Sequence, residues 1–455
     1  MIRRPLMQKE ISELEAAGNV CENWNNIRVA QEFVVKNIKN SRFTGKIKLH
    51  GFSGKTLSYS GVEFQTGIFN SWINASVIED ACVQDTRLLS NTVVCEDALV
   101  FNAGTVACNK DMSQINVGTE MGHRVLKRQF SESQRAIIGR SSRVCNINSF
   151  ENSHLGDFAI VENGALLRDS LVESHSVITD NAVVKSSFID SHSHIGEAEV
   201  CNSLLGPLMQ IHHHSLLISA LWPEGRGNVG YGANVGSNHT SRMPDQEIMP
   251  GLGQFFGLGC SVKFPANFSE APFAMVSSGV VCQPQRLKFP FSLIKEGHEA
   301  SGLNEIVPGW VYTKNSYGLF RSIYKWDKRS GQNNSMDLLY SNSVLNTVAH
   351  ACKTLTNFLR SKDPLPRLVS EQNLPGIGSN FINMENIEKV IFSYELYFAD
   401  CDFYKKNKKI SESIIFRIEE NLKKDESRGQ KIFDDYMSFH PRDEEFFKWI
   451  FQMAN

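Results

Sequence analysis

The stretch 160-IVENGALLRDSLVESHSVITDNAVVKSSFI-189 decides the fold. Ile160, Leu166, Val172, Ile178 and Val184 recur every six residues, a spacing that suits neither an amphipathic helix nor a two-faced strand. Working outward, the same spacing runs through Val77, Val83, Leu89, Cys95 and Phe101, and again through Ile138, Val144 and Phe150. It continues through Ile189, Ile195 and Cys201, through Leu205, Ile211 and Leu217, and through Val229 and Val235. It closes with Phe256, Val262, Phe268, Ala274 and Val280. A small residue stands two places before many of these positions, as at Gly164, Ser170, Ser176, Ala182, Ser187, Ser193, Ser203 and Ser215. A large aliphatic side chain pointing inward from a short strand, after a small one where the chain turns, describes a triangular coil. The fold class predicted is therefore mainly β, a left-handed parallel β-helix of hexapeptide repeats, three hexads or about eighteen residues to a coil. Each inward Ile, Leu or Val contributes roughly 1.5–3 kcal/mol before chain entropy is subtracted.

The pattern sets the expected boundaries. Residues 1–69 read as an N-terminal cap and lead-in, with a short helix over 8–18 whose apolar face carries Ile11 and Leu14. Residues 70–295 read as the β-helix, with excursions at 107–135 and 240–254 and a short Gly/Pro corner at 222–228. Residues 296–455 read as an α-helical region: one helix spans Leu338 to Leu359, and 384–398 and 409–423 give two more, with Pro364 and Pro366 breaking between them.

Bulk composition narrows the partners. Lys plus Arg is 47 against 49 for Asp plus Glu, so no net field draws the chain to nucleic acid or an anionic membrane. No run of apolar residues reaches membrane-spanning length and no secretory signal follows Met1, so a cytoplasmic protein with no membrane partner is expected. Ten cysteines without a C-x-x-C pair read as reduced, structural thiols.

Several local stretches carry a resemblance: Arg4-Pro5-Leu6 with Glu10-Ile11, the run from Asn228 to Thr240, Gly257-Leu258-Gly259, Lys263-Phe264-Pro265, Phe289 to Ile294, and Val307-Pro308-Gly309-Trp310. On these, about the first 330 residues resemble a bacterial family of left-handed β-helix proteins that is itself uncharacterised and often labelled as related to UDP-N-acetylglucosamine pyrophosphorylase. Bifunctional enzymes of that name place a nucleotide-binding α/β domain before their β-helix. None precedes the coils here, so a pyrophosphorylase on its own is not expected, and the acyltransferase half is what the resemblance leaves.

Candidate chemistry gathers between residues 190 and 250. His213, His239 and Asn238 are the candidate catalytic residues; His212, His214, Arg242, Asp245 and Glu247 are candidate substrate-binding residues. A histidine general base, acting on a hydroxyl or amine of a sugar or sugar nucleotide with an acyl-coenzyme A as co-substrate, is the leading reading. Its geometry requires His213 and His239 to converge under the 240–254 loop. The alternative is a non-catalytic sugar-nucleotide binder or scaffold, for which Arg321, Lys325, Lys328 and Arg329 alternate with Phe320, Tyr324 and Trp326. A third is a zinc enzyme of the carbonic-anhydrase-like β-helix type, with His192 and His194 as weak ligand candidates and no metal site otherwise expected. A small-molecule substrate and a homo-oligomer, a trimer by fold analogy, complete the expectations.

Overall fold

The structure, a computed structural model, describes residues 3–111, 135–236, 247–298, 302–332, 334–361 and 366–424, with side chains to 406. It divides at Pro223/Glu224 into two compact units.

The first unit is a parallel β-solenoid with three sheets of short strands. On the first face Ile68, Val83, Val100, Val144, Val161, Ile178, Ile195 and Ile211 stand in register and are fully buried. Phe43, Ile73, Leu89, Val106, Phe150, Leu167, Val184, Val200 and Leu217 form the second column. Leu49, Ile78, Val94, Ile138, Leu155, Val172, Ile189, Leu205 and Trp222 form the third.

These registers correct the period. Leu155, Val172 and Ile189 stack 17 residues apart and Leu205 follows after 16, because one edge of each coil takes five residues rather than six. A strict count of six therefore drifts by one residue per coil. It picks Val77, Cys95, Phe101, Ile160, Leu166 and Cys201, whereas the inward side chains are Ile78, Val94, Val100, Val161, Leu167 and Val200. Since side chains on a strand alternate, that one-residue slip exchanges inside for outside.

The small column has a polar function beyond fitting the corner. Ser170 Oγ donates to the carbonyl of Arg168 and accepts from the amide of Ser187, whose own Oγ accepts from the amide of Ser203, and Ser203 Oγ accepts from the amide of Ala220. Each buried hydroxyl thus satisfies an amide left over where the strand breaks at the corner. Ala165, rather than Gly164, occupies this position before Leu167, and Gly164 lies in the left-handed turn at φ +80°.

The coils begin well before residue 70. Val20–Cys21 pairs with Arg42–Thr44, and Ile27–Ala30 with Ile47–Leu49, in the same parallel registers as later coils. Arg3–Pro5 adds antiparallel to Ile27–Ala30 and closes that edge, a protected end for strands that would otherwise expose unpaired backbone. The expected helix spans Gln8–Ala16; Leu14 is buried in it, and Glu10 holds Arg4 through two hydrogen bonds of 2.8 and 2.6 Å. A hairpin, Thr56–Tyr59 against Val62–Gln65, packs Leu57 and Phe64 over the outer side of the first face at Cys82, Leu99 and Cys145. Of the 107–135 excursion, residues 112–134 lie outside the described residues.

The second unit continues the same architecture. Val229, Phe256, Val276 and Ile294 stack on one face, and Val235, Val262 and Cys282 on another. Ala274 and Val280 therefore stand two places before the inward residues, not among them. Two expected loops are shorter than their sequence implied: Trp222 is a fully buried core residue, and Ile248–Met249 is a strand paired with Ala266–Asn267, so the 240–254 segment rejoins the coil by Ile248. The last coil strand, Leu293–Lys295, is closed by antiparallel Asn304–Val307, which itself pairs with Asn380–Asn383. Helices begin at Trp310–Lys314 and run through Ser316–Ser330, Ser335–Leu339 and Asn342–Leu359, the last started by Ser341 Oγ accepting from the amide of Val344. The cap separates two helices where one was expected from Leu338 to Leu359, and Ile387–Lys424 is one helix where two were expected. Phe291 sits among Tyr312, Tyr397 and Phe273, with ring centroids 5.2–5.5 Å apart, and Tyr394 donates to the carbonyl of Pro290. The aromatic packing, rather than a helix laid on a bare edge, ties these helices to the coil. No helix among the described residues is long and apolar enough to cross a membrane.

Candidate functional site

One corner of the first unit organises the site. Where the first face turns into the second, Asn40, Asn70, Asp85, Asn102, Asn146, Asn163, Asp180, Glu197 and His213 follow one another from coil to coil, all with φ between +46° and +63°. L-residues enter this left-handed region at a cost, and Asn, Asp and His enter it most readily after Gly, which is why these types recur. Their side chains bridge successive coils: Asn40 Nδ2 donates to Asn70 Oδ1, Asn70 Nδ2 to Asp85 Oδ1, Asn102 Nδ2 to Asn146 Oδ1 and Asn163 Nδ2 to Asp180 Oδ1.

The last rung changes chemistry. His213 Nδ1 lies 2.9 Å from Glu197 Oε2, with the two side chains 63% and 42% exposed. An ionised carboxylate only accepts, so Nδ1 carries the proton of a neutral ring and Nε2 keeps its lone pair. The six-residue steps at this corner place two residues in left-handed turns, Asn163 with Gly164, Asp180 with Asn181, and His213 with His214, whereas the five-residue step places Glu197 alone. His212–His214 is therefore not a strand of alternating rings: only His212 ends the strand Gln210–His212, on the outer side of the first face. Its ring lies 4.9 Å from that of His213 and 6.1 Å from that of His194.

His192 belongs to another corner. Its ring stacks at 4.8 Å on His175, which stacks at 5.0 Å on Phe158. His192 and His194 are thus directed to a corner and a face, and among the described residues no group of three His, Cys, Asp or Glu is arranged to hold a metal. Asn238, His239, Arg242 and Asp245 lie outside the described residues, and with them the convergence expected of His213 and His239. Glu247 directly precedes the strand Ile248–Met249, and its carbonyl accepts from the amide of Ala266. Arg321 to Arg329 lie on the helix Ser316–Ser330, which buries Leu319, Ile323 and Trp326.

The profile of a family described as a domain of unknown function, DUF4954, matches residues 3–129. A protein of Treponema pallidum (strain Nichols) bearing the description "Uncharacterized protein" is 26% identical over 426 residues, covering 74% of this chain. The chain spans 58% of the length of that relative. The family match falls on the first coils and ends before the Glu197–His213 rung.

Sequence reasoning missed Glu197 because it lies 16 residues from His213 and the partnership depends on coil length. It also missed His154, which stands outward between Ile137 and Leu171 on the third face and which burial pushes down to about 4. Tyr59 is a third omission: its hydroxyl donates to Glu162 at 2.8 Å across the hairpin, and burial with that carboxylate pushes it up to about 12. The thiols are held as acids by burial, Cys82, Cys145, Cys201 and Cys260 being pushed up to about 12 and Cys95 to about 11. All ten cysteines are free.

Proposed function

We propose that the protein is an acyltransferase acting on a hydroxyl or amine of a sugar or sugar nucleotide, with His213 as general base and Glu197 as the residue that orients it. The observation that carries this reading is the 2.9 Å contact between His213 Nδ1 and Glu197 Oε2, which leaves Nε2 as a base on an accessible ring. In the proposed step Nε2 takes the proton of the acceptor group as its oxygen or nitrogen attacks the thioester carbonyl of an acyl-coenzyme A. The carbon–sulfur bond then breaks, and the thiol leaves with the proton returned by the imidazolium. The reading takes the winding as the left-handed, hexapeptide-type class, supported by inward aliphatics spaced six, six and five with a small residue two before each. It takes the active form as a cytoplasmic homotrimer, by analogy with acyltransferases of that class.

The test is thiol release from acetyl-coenzyme A in the presence of amino sugars and sugar nucleotides, read with a colorimetric thiol reagent. Turnover that falls by about a hundredfold or more in His213→Asn supports the assignment. No release with any acceptor, or release unchanged in His213→Asn, rejects it.

A further inference from the structure

At the opposite end of the same corner ladder the second face carries a groove of about 780 Å³, in the range of small-molecule sites. Its lining includes Arg42, Trp72 and Arg87 from successive coils of the second face, Asn40 and Asn70 from the ladder, and Glu22. Trp72, 37% exposed, is fixed twice: its Nε1 donates to Thr44 Oγ1 at 3.0 Å, and the Arg42 guanidinium lies 4.7 Å above the ring centroid. Arg42 pairs with no carboxylate among the described residues, and Arg87 makes one hydrogen bond, to Thr105 Oγ1. Gly18, at φ +80°, keeps the rim open beside the ladder, since a Cβ there would fall 2.4 Å from Asn40 Oδ1.

We propose that this groove binds an anionic saccharide, its carboxylate or phosphate held by Arg42 and Arg87 and its hydroxyls by the Asn40 and Asn70 amides. Two guanidiniums facing one lining carboxylate, Glu22, select an anion, and their planar N–H forks suit a carboxylate or phosphate. Stacking on the indole leaves the Arg42 donors around the edge of the ring available to such a group. With one ring face covered by a guanidinium, Trp72 offers its apolar rim, which fits the C–H edge of a pyranose better than a stacked base. The remaining lining is amide and hydroxyl, complementary to a polyol. This site is independent of the His213 reading and stands or falls separately.

The test is saturation-transfer difference NMR on the full chain with glucuronate, glucose 6-phosphate and glucose as probes. Transfer to glucuronate, to glucose 6-phosphate or to both, at several times the level seen with glucose, is expected, and the two charged sugars distinguish a carboxylate from a phosphate ligand. Arg42→Gln/Arg87→Gln should reduce that transfer to the glucose level; Arg87→Gln alone, should the double variant fail to fold, should weaken it at least several-fold. Equal transfer to glucose, no transfer to either charged sugar, displacement by inorganic phosphate with no sugar signal, or unchanged transfer in Arg87→Gln overturns the proposal.

Discussion

The two ends of one corner ladder use the same backbone for different chemistry. At the first coils the left-handed positions are filled by Asn40, Asn70 and Asp85, whose amides and carboxylate join one coil to the next. At the far end Glu197 and His213 occupy equivalent positions and make an equivalent contact. Asparagine meets everything the turn asks for: it tolerates positive φ and bridges a coil spacing. Histidine meets the same demands and adds a nitrogen that changes protonation near neutral pH. The geometry of the corner thus explains why a polar residue stands at 213, but not why an imidazole does, and that surplus is the argument for chemistry there.

The largest test of this contrast is kinetic. His213→Asn restores the residue type used elsewhere in the ladder, so it should keep the fold while lowering turnover by about 10²-fold or more. Asn70→His, the reverse exchange at the other end, should create no activity. If the two variants behave alike in the thiol-release assay, the two ends are equivalent and the contrast fails.

The next test compares histidine environments through pH. His154 has a folded pKa of about 4, below the 6.5 of an unconstrained ring, so below pH 6.5 the unfolded chain holds more protons than the folded one. Its contribution is fully present above pH 6.5 and is lost as pH falls toward 4, a decrease of about 2–3 kcal/mol. Denaturant unfolding at pH 7 and pH 4.5 should show that loss, and His154→Phe should remove most of it. An unchanged pH dependence in the variant would place the acid sensitivity elsewhere.

A smaller effect separates the ladder residues themselves. Asn163→Ala puts a methyl side chain at φ +53° and breaks the hydrogen bond to Asp180, and should cost about 1–2 kcal/mol. Asn163→Gly should cost less, and His213→Asn should stay within about 0.5 kcal/mol of the parent protein, as expected of an exposed position. A larger loss in His213→Asn, measured by thermal unfolding, would make the Glu197 contact structural.

The smallest expected signal is chemical labelling. With the core thiols pushed up to about 11–12, iodoacetamide at pH 8 should modify Cys82, Cys145 and Cys201 only on the timescale of unfolding. Rapid modification of any of these in the native protein, read by mass spectrometry, would contradict the packing of the solenoid.

Much of this architecture was legible without coordinates. The recurrence of Val172, Ile178, Val184, Ile189 and Ile195, each preceded two residues earlier by Ser or Ala, is enough to specify a stacked parallel solenoid, because that alternation of large and small has few other uses. The change to helical spacing after the last coils was legible for the same reason. The lead-in was not: the hairpin Thr56–Tyr59/Val62–Gln65 interrupts the early coils, so their spacing is obscured even though Phe43 and Ile73 stack directly. Of the candidate residues, the histidines stood out by type and clustering, but Glu197, Arg42 and Trp72 gave no local signal.

What the sequence determined by itself was the kind of object, since periodic burial is written into consecutive residues. Which side chains meet was decided only in three dimensions. Glu197 reaches His213 because the coil between them has 16 residues, and Arg42 covers Trp72 because the 30 residues between them, excursion included, bring the second face back into register. A coil one residue longer would turn every following side chain on that strand to the other side. In a solenoid the neighbours of a residue are set by the summed lengths of the coils between them, and that sum is visible only once the coils are stacked.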